Sequence, residues 1–418
     1  MLIGGLAFRM AGKLRKTAAS GIVPVDRRNS LMELRSHIES GDFAGIFVMG
    51  SRHMGWHEVF KQRPHHIADY LMARGYLVIC AMNPVYPADF TPVARRENES
   101  LFLVNFDDRS VWSDVIKIIA AANAPKFYHL VGTEPGTTPD EIRKLKSAGF
   151  HIFYDYLDEI SPDINQGINP MCFERHDMLL RDPDVLLVAS ADTLYKKGLT
   201  HRRENVVFAP NGVRLEDWES PCRAEPPSEM VPIIRQGKPI VGYYGSFASW
   251  MNYDYVRALS EGLPDMNLVM IGYDYDWGKG PYAQSGIANL PNVHIIGPQK
   301  YERLKEFSRY FAVGIIPFRD YDVTQSVSPV KMFEYMAQGI PPIASGLMEC
   351  KKYASCLTVS SGEEYVRAVR RAIKLRTDKE YLEQLRRDAR ANTWTERGRV
   401  IEAAMSTMVS SQRSRRVN

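Results

Sequence analysis

Lys331 and Glu334 stand three residues apart in the stretch 326–345, which reads SVSPVKMFEYMAQGIPPIAS. Small hydroxyl residues and a proline precede an apolar-periodic run that stops at Gly339 and leads into a short apolar segment. Ser328 fits an N-cap and Pro329 the first helical position, where a missing N–H costs nothing. Val330 and Lys331 then offer backbone N–H groups at a positive dipole end, which favours phosphate, and Lys331 adds a mobile ammonium. A carboxylate one turn further in is not there for phosphate, because like charges repel. Glu334 instead fits a hydroxyl-rich group, so the spacing implies a two-ended ligand: a diphosphate and a sugar. The plain alternative is a solvated helix with a surface Lys–Glu pair, worth a few tenths of a kcal/mol. The position after the apolar run AVGIIPF at 312–318 favours the ligand-facing reading.

Other residues could extend such a site. The run GYYGS at 242–246 follows a strand-like segment and precedes a helical one, so the backbone at Gly245 and Ser246 could approach a diphosphate closely. Gly272 ends the next apolar run. Neither forms a complete G-x-G-x-x-G dinucleotide fingerprint. In the first half of the chain, His57, Arg63 and His65 lie in a polar loop and the helix start after it, where they could hold an anionic or hydroxylated acceptor. His129, near the carboxyl end of the run KFYHLV, could face a cleft or be a packed, hydrogen-bonded strand residue. No metal site is expected. Asp274-Tyr275-Asp276 lacks a second ligand cluster, and His53 and His57 lack a supporting helix and the metalloprotease glutamate. A serine-hydrolase elbow is absent.

These residues need elements to position them. Apolar strand-like runs at 44–49, 77–82, 101–105, 126–131, 150–155, 184–189 and 205–209 alternate with helical patterns at 64–74, 111–122, 139–148 and 190–197. That alternation predicts doubly wound α/β structure. Residues 219–239 hold five prolines and read as a linker. A second alternating series begins at Ile240, and a final helical stretch covers about 362–408. The expected organisation is a basic N-terminal extension (1–40), an acceptor domain (41–218), the linker (219–239), a nucleotide-sugar domain (240–390) and a C-terminal helix with a basic tail (391–418). Two Rossmann-like domains would face each other across a cleft, with ligands at the carboxyl ends of the strands.

Size and composition agree with this. A chain of 418 residues suits two domains of about 200 residues each. The net charge of +4 is too small to argue for nucleic acid. Arg9, Lys13, Arg15 and Lys16 near the start could meet an anionic membrane surface or belong to a partly disordered basic tail, and Arg413, Arg415 and Arg416 add basic charge near the end. No apolar run reaches the roughly 18 to 20 residues that span a bilayer. Five scattered cysteines without a C-x-x-C point to reduced thiols and a cytoplasmic setting, at the inner face of the membrane if the basic segments bind there.

Several motifs recur together. They are W-x5-Q-R-P-H ending at His65, Y-D-Y-x-D-E at 154–159, P-N-G-V at 210–213, G-Y-Y-G-S-x3-W at 242–250, L-P-N-V-H-x2-G-P at 290–298 and S-P-V-K-M-F-E-Y-M-A-x-G-I-P at 328–341. In this order and spacing the chain resembles GT-B-fold glycosyltransferases, in particular the bacterial group-1 branch of teichuronic-acid and related polysaccharide enzymes. The resemblance runs from about residue 43 to 390.

It implies a nucleotide-diphosphate-sugar donor, with Lys331, Glu334 and His129 as catalytic residues. It further implies donor contacts from Gly245, Ser246, Gly272, Tyr273, Thr324, Ser326, Val327, Ser328 and Val330, and acceptor contacts from His57, Arg63 and His65. Glu334 corresponds to the second glutamate of the family's Glu–seven residues–Glu pattern, whereas the first falls at Ser326, a departure. The implied reaction is metal-independent, retaining hexosyl transfer to a saccharide or lipid-linked acceptor in cell-envelope synthesis. It needs no cofactor beyond the nucleotide-sugar co-substrate. A nucleotide-sugar 2-epimerase of the same architecture, or a non-catalytic nucleotide-sugar-binding subunit, would share most of these residues.

Overall fold

The structure is a computed structural model that describes residues 26–51, 55–57, 61–82, 89–133, 136–161, 168–276 and 278–417. The basic residues expected to meet a membrane between positions 9 and 16, and His53, lie outside the described residues. The chain forms two compact units. One takes the chain up to Pro210 and again from Arg397, and the other is Asn211–Glu396.

Among the described residues the first unit holds eight strands: β1 (Gly45–Ser51), β2 (Tyr76–Met82), β3 (Ala94–Asn98), β4 (Leu101–Asn105), β5 (Lys126–Val131), β6 (Phe150–Tyr156), β7 (Val185–Ala189) and β8 (Val206–Phe208). Their order is β3-β4-β2-β1-β5-β6-β7-β8, parallel throughout except for β3, which runs antiparallel to β4 at the edge. Runs such as VLLVA in β7 are buried along their whole length, as strands covered by helices on both faces must be. β3 was not foreseen, because ARREN carries no apolar alternation. An edge strand needs only one paired side, and charge there blunts further pairing.

Two packed layers sandwich this sheet. On one face lie Leu34 and Ile38 with Val48, Ile79, Trp112 and Leu130. The other joins Phe47, Met49, Ile67 and Phe153 to Ile401, Met405 and Met408 of the Trp394–Val417 helix. Residues 27–40, assigned above to a basic extension, instead form the Arg27–Ser40 helix, N-capped by Asp26, with Leu34 and Ile38 in the core. Four apolar residues in fourteen make its periodicity weak in isolation.

The second unit holds β9 (Ile240–Tyr244), β10 (Asn267–Ile271), β11 (Val293–Ile296), β12 (Phe311–Ile316), β13 (Pro342–Ser345) and β14 (Leu357–Val359). All are parallel, in the order β11-β10-β9-β12-β13-β14. Chain direction across the sheet reverses between β9 and β12, just as it does between β1 and β5 in the first unit. Such switch points open a crevice at the strand carboxyl ends, because the flanking connections leave to opposite sides. The proline-rich segment 219–239 contains the short helix Val231–Ile234, with Met230 and Ile233 buried. The final helical stretch divides into Gly362–Leu375, Lys379–Ala391 and Trp394–Val417. No described helix is long and apolar enough to cross a membrane.

Candidate functional site

At the switch point of the second sheet, the loop after β9 is fastened on both sides. Gly245, at φ +138°, turns where a residue with a side chain would be strained, and its N–H donates to Ile271 O at 2.9 Å. Gly272 lies so close that a methyl group built on it would stand 1.9 Å from Gly245 O. Phe247 N donates to Tyr273 O, and Tyr275 N donates to Phe247 O, both at 2.9 Å. On the other side Asn252 N donates to Pro317 O and Arg319 N to Trp250 O, both at 2.8 Å. The carboxyl ends of β9, β10 and β12 therefore carry one interlocked backbone floor.

The Val330–Ala337 helix is set beside this floor. Its N-cap is Pro329 at ψ 114°, one residue later than expected, and Ser328 does not cap it. The N–H groups of Val330 and Lys331 then head the helix, while Met332 N already turns back to Pro329 O at 3.1 Å. Ser328 is buried, and its Oγ has no hydrogen-bond partner among the described residues. Its carbonyl accepts from Asn211 Nδ2 at 2.6 Å, so Asn211 of the P-N-G-V motif anchors the segment entering the helix. A buried hydroxyl without a partner costs free energy unless something else completes it.

The Lys331 ammonium lies 5.1 Å from the Tyr243 ring centre and 4.9 Å from that of Phe318, one ring at the end of β9 and the other just past β12. It is 3.4 Å from the position a Gly245 side chain would take. Burial lowers its pKa to about 8, against the opposing pull of Glu334. Cation–π contact holds the charge without neutralising it, which leaves it available to an anion.

Glu334 is buried, at 3% exposure, and accepts from Tyr244 Oη at 2.8 Å. Trp218 stacks on Tyr244 and donates Nε1–H to Tyr301 Oη at 3.1 Å. Burial raises the Glu334 pKa to about 7, with the Tyr244 hydrogen bond and Lys331 pulling the other way. The solvated Lys–Glu surface pair is therefore not what forms. Tyr335, the next residue along the helix, is buried against β12, where it fills the space a side chain on Gly314 would need.

The other proposed donor contacts divide by environment. Ser246 and Tyr273 are partly exposed beside the floor. Thr324 is buried, its hydroxyl accepting from Tyr321 N at 3.2 Å and bonded to Arg319 O, which makes it a turn-former. Ser326 closes the Asp322–Gln325 turn, with its N–H on Val323 O at 3.2 Å, and Val327 is buried.

In the first unit, Arg63 and His129 converge on Asp155 of β6, a residue quoted within Y-D-Y-x-D-E but given no role. Arg63 Nε donates to both carboxylate oxygens at 2.9 and 3.1 Å, and His129 Nε2 is 3.4 Å from Oδ2. All three are buried. Burial alone would raise the Asp155 pKa, but Arg63 and His129 outweigh it and hold it low. His129 lies between Phe47 and Phe153, so it faces the core and not an open ligand. His65 is a cap: Gln62 N–H donates to its Nδ1 at 3.1 Å, and its Nε2 bonds Gly55 O at 2.6 Å. Both ring nitrogens are occupied, and burial lowers its pKa. His57 is the exposed member of the proposed acceptor set, with Nε2 3.2 Å from Glu97 Oε2.

No family model matches the chain. A stretch of 216 residues is 25% identical to a Bacillus subtilis protein, TuaH, named as a glycosyltransferase of teichuronic acid biosynthesis. That match covers 50% of this chain and 53% of the relative, so the chain spans about half the length of the curated relative it matches. Similarity in three dimensions extends further. A UDP-forming trehalose-phosphate synthase from Burkholderia vietnamiensis superposes over 90% of this chain and 99% of its own, at a TM-score of 0.66 and 14% identity. HepE of Anabaena, in complex with UDP, superposes over 87% of this chain and 100% of its own, at a TM-score of 0.60 and 11% identity. The fold is GT-B.

Within this GT-B chain, sequence reasoning missed Asn211, Tyr244 and Asp155 as residues that shape the two switch points. Asn211 and Asp155 stood inside quoted motifs, and their polarity within apolar surroundings was the available signal. Tyr244 carried none, because its hydrogen bond depends on a helix ninety residues away.

Proposed function

We propose that the chain is a glycosyltransferase whose second unit binds a nucleotide-diphosphate sugar, and that it passes the sugar to a saccharide or lipid-linked acceptor. The observation that carries this reading is the Lys331 ammonium, held over the β9–β12 switch point by two aromatic rings beside Gly245, with the helix N–H groups and the unpartnered Ser328 hydroxyl alongside. This arrangement offers one mobile positive charge, directional donors and a closely approachable backbone, which together fit a diphosphate. HepE, solved with UDP and with UDP-glucose, supports a uridine-linked donor as the first to try.

In the transfer, the bond between the sugar's anomeric carbon and the diphosphate oxygen breaks, and the electron pair leaves with the diphosphate. The acceptor oxygen forms the new bond and gives its proton to the departing diphosphate oxygen. Lys331 and the N–H groups of Val330 and Lys331 stabilise the charge that grows on the departing diphosphate. Glu334, held by Tyr244, sets the electrostatic balance beside Lys331 and offers a carboxylate to a ribose hydroxyl. A retaining, metal-independent course, with the acceptor near His57 and the Arg63–Asp155–His129 cluster as its scaffold, completes the reading. An envelope-polysaccharide role follows the name of the Bacillus relative.

A thermal-shift screen against nucleoside diphosphates and their sugar conjugates tests the donor half, since a ligand that binds the native state raises its melting temperature. Release of free nucleoside diphosphate that depends on an added acceptor tests transfer. No shift with any conjugate at millimolar concentration rejects the reading.

A further inference from the structure

The carboxyl ends of β12 and β13 are neighbours in the sheet, paired through Ile316 and Ala344. Just past them two short segments, 319–321 and 346–348, are joined by one side chain. Gln325 Nε2 donates to Asp320 Oδ1 and to Gly346 O (3.2 Å), and Gln325 Oε1 accepts from Met348 N at 3.0 Å. With both amide hydrogens and the carbonyl engaged, Gln325 is a staple and not a ligand contact. It leaves the other oxygen of Asp320 uncommitted.

Across this rim, Asp320 Oδ2 and Lys351 Nζ stand 3.5 and 3.6 Å from the point where a side chain on Gly346 would begin. They form no ion pair with each other among the described residues. An acceptor and a donor thus flank a position occupied by no side chain. Ser345 Oγ, fully buried beside Gly346, has no hydrogen-bond partner among the described residues. The same rim shows Tyr321 at 40% and Met348 at 48% exposure, two of the few large apolar side chains left open to solvent in the described chain. Carbohydrate rings are amphipathic: one face of C–H groups packs on an aromatic or thioether surface, while hydroxyls at the edge bridge acceptors and donors. Asp320 and Lys351 are exposed and opposite in sign, so the pair suits a neutral ligand with hydroxyls at its edge better than an anion or a purely apolar group.

We propose that Asp320, Tyr321, Gly346, Met348 and Lys351, stapled by Gln325, form the subsite for the pyranose ring of the donor. The inference rests on the donor reading above and names what selects its sugar. Phe318, which holds the Lys331 ammonium, is two residues from Asp320, and two residues of chain span at most roughly 7 Å. Asp320 therefore lies within a short reach of the ring that holds Lys331.

Isothermal titration of the chain with UDP, GDP, ADP and dTDP, and with the glucose, galactose and mannose conjugates of whichever binds, tests this. Asp320→Asn, Lys351→Met and Gly346→Ala are compared with the wild type. The expected result is an unchanged affinity for the free nucleoside diphosphate and a loss of about tenfold for the preferred sugar conjugate, with weaker discrimination among the sugars. Equal affinities for the conjugate in wild type and all three variants would overturn the subsite. So would parallel losses for free diphosphate and conjugate, which would mark a base or phosphate contact instead. Failure of the wild type to bind any nucleotide removes the donor reading itself, and this inference with it.

Discussion

Tyr244 donates its phenolic hydrogen to Glu334 at 2.8 Å, so the carboxylate one turn into the helix is anchored to the sheet beneath it. Two opposed effects meet there. Burial drives Glu334 towards its neutral form, and the hydrogen bond and Lys331 draw it back, leaving a pKa of about 7. Lys331, pushed down to about 8, nearly meets it from above. Both groups are ionised together only in a narrow window near neutrality, where their combined desolvation cost is greatest.

Glu334→Gln should therefore become relatively more stable as the pH rises. With a folded pKa above the unfolded value, the native state holds a proton that the unfolded state has lost between about pH 4.5 and 7, so wild-type stability falls across that interval. Thermal denaturation of the wild type and the variant at pH 5 and 7.5 should show their difference shift by roughly 1–3 kcal/mol in favour of the variant. A difference that stays constant with pH would contradict the raised pKa.

Lys331→Met removes a buried charge and should leave the fold at least as stable at pH 7, while nucleoside diphosphate affinity drops about ten- to a hundredfold. In the wild type that affinity should weaken as the pH passes about 8, where the free ammonium loses its proton. Titration calorimetry between pH 7 and 9.5 measures both effects, and the variant should show no such fall.

Tyr244→Phe leaves Glu334 without its sheet-side donor. The expected cost is about 1–3 kcal/mol, largest above pH 7, where the carboxylate is ionised. Chemical denaturation at pH 6 and 8 would show it, and an equal loss at both values would place the role of Tyr244 in packing alone.

Asp155→Asn breaks a buried pair and strands the Arg63 charge, at an expected cost of about 3–5 kcal/mol. Because the Asp155 pKa is held low in the fold, its contribution is present above the unfolded value near 3.8 and fades as the pH falls through the folded one. The wild type should lose this advantage over the variant only under acid conditions, as followed by circular dichroism.

Much of this architecture was legible in the chain. The alternation of apolar runs located most strands of both sheets within a residue or two, because strands covered on both faces have little tolerance for polar residues. What escaped were elements whose identity depends on company. β3 is a strand because β4 offers it an edge, and the Arg27–Ser40 helix buries only a narrow stripe. At the site, the types were readable but not the partners. Lys331 and Glu334 could be placed on one helix, yet nothing local revealed the Tyr243 and Phe318 rings around one or Tyr244 above the other. The histidines misled for the same reason: His65 reads as a ligand until Gly55 and Gln62 occupy its nitrogens.

The helix that carries Ile401, Met405 and Met408 has a consequence in time as well as in space. Those side chains complete the layer that begins with Phe47 and Met49, so the first unit is closed by residues that follow the whole of the second. On a ribosome, Asn211–Glu396 can finish as an uninterrupted stretch while the sheet made earlier still lacks part of its cover. The order of completion is the reverse of the order of synthesis, and the exposed Phe47 layer is where a chaperone would have reason to wait.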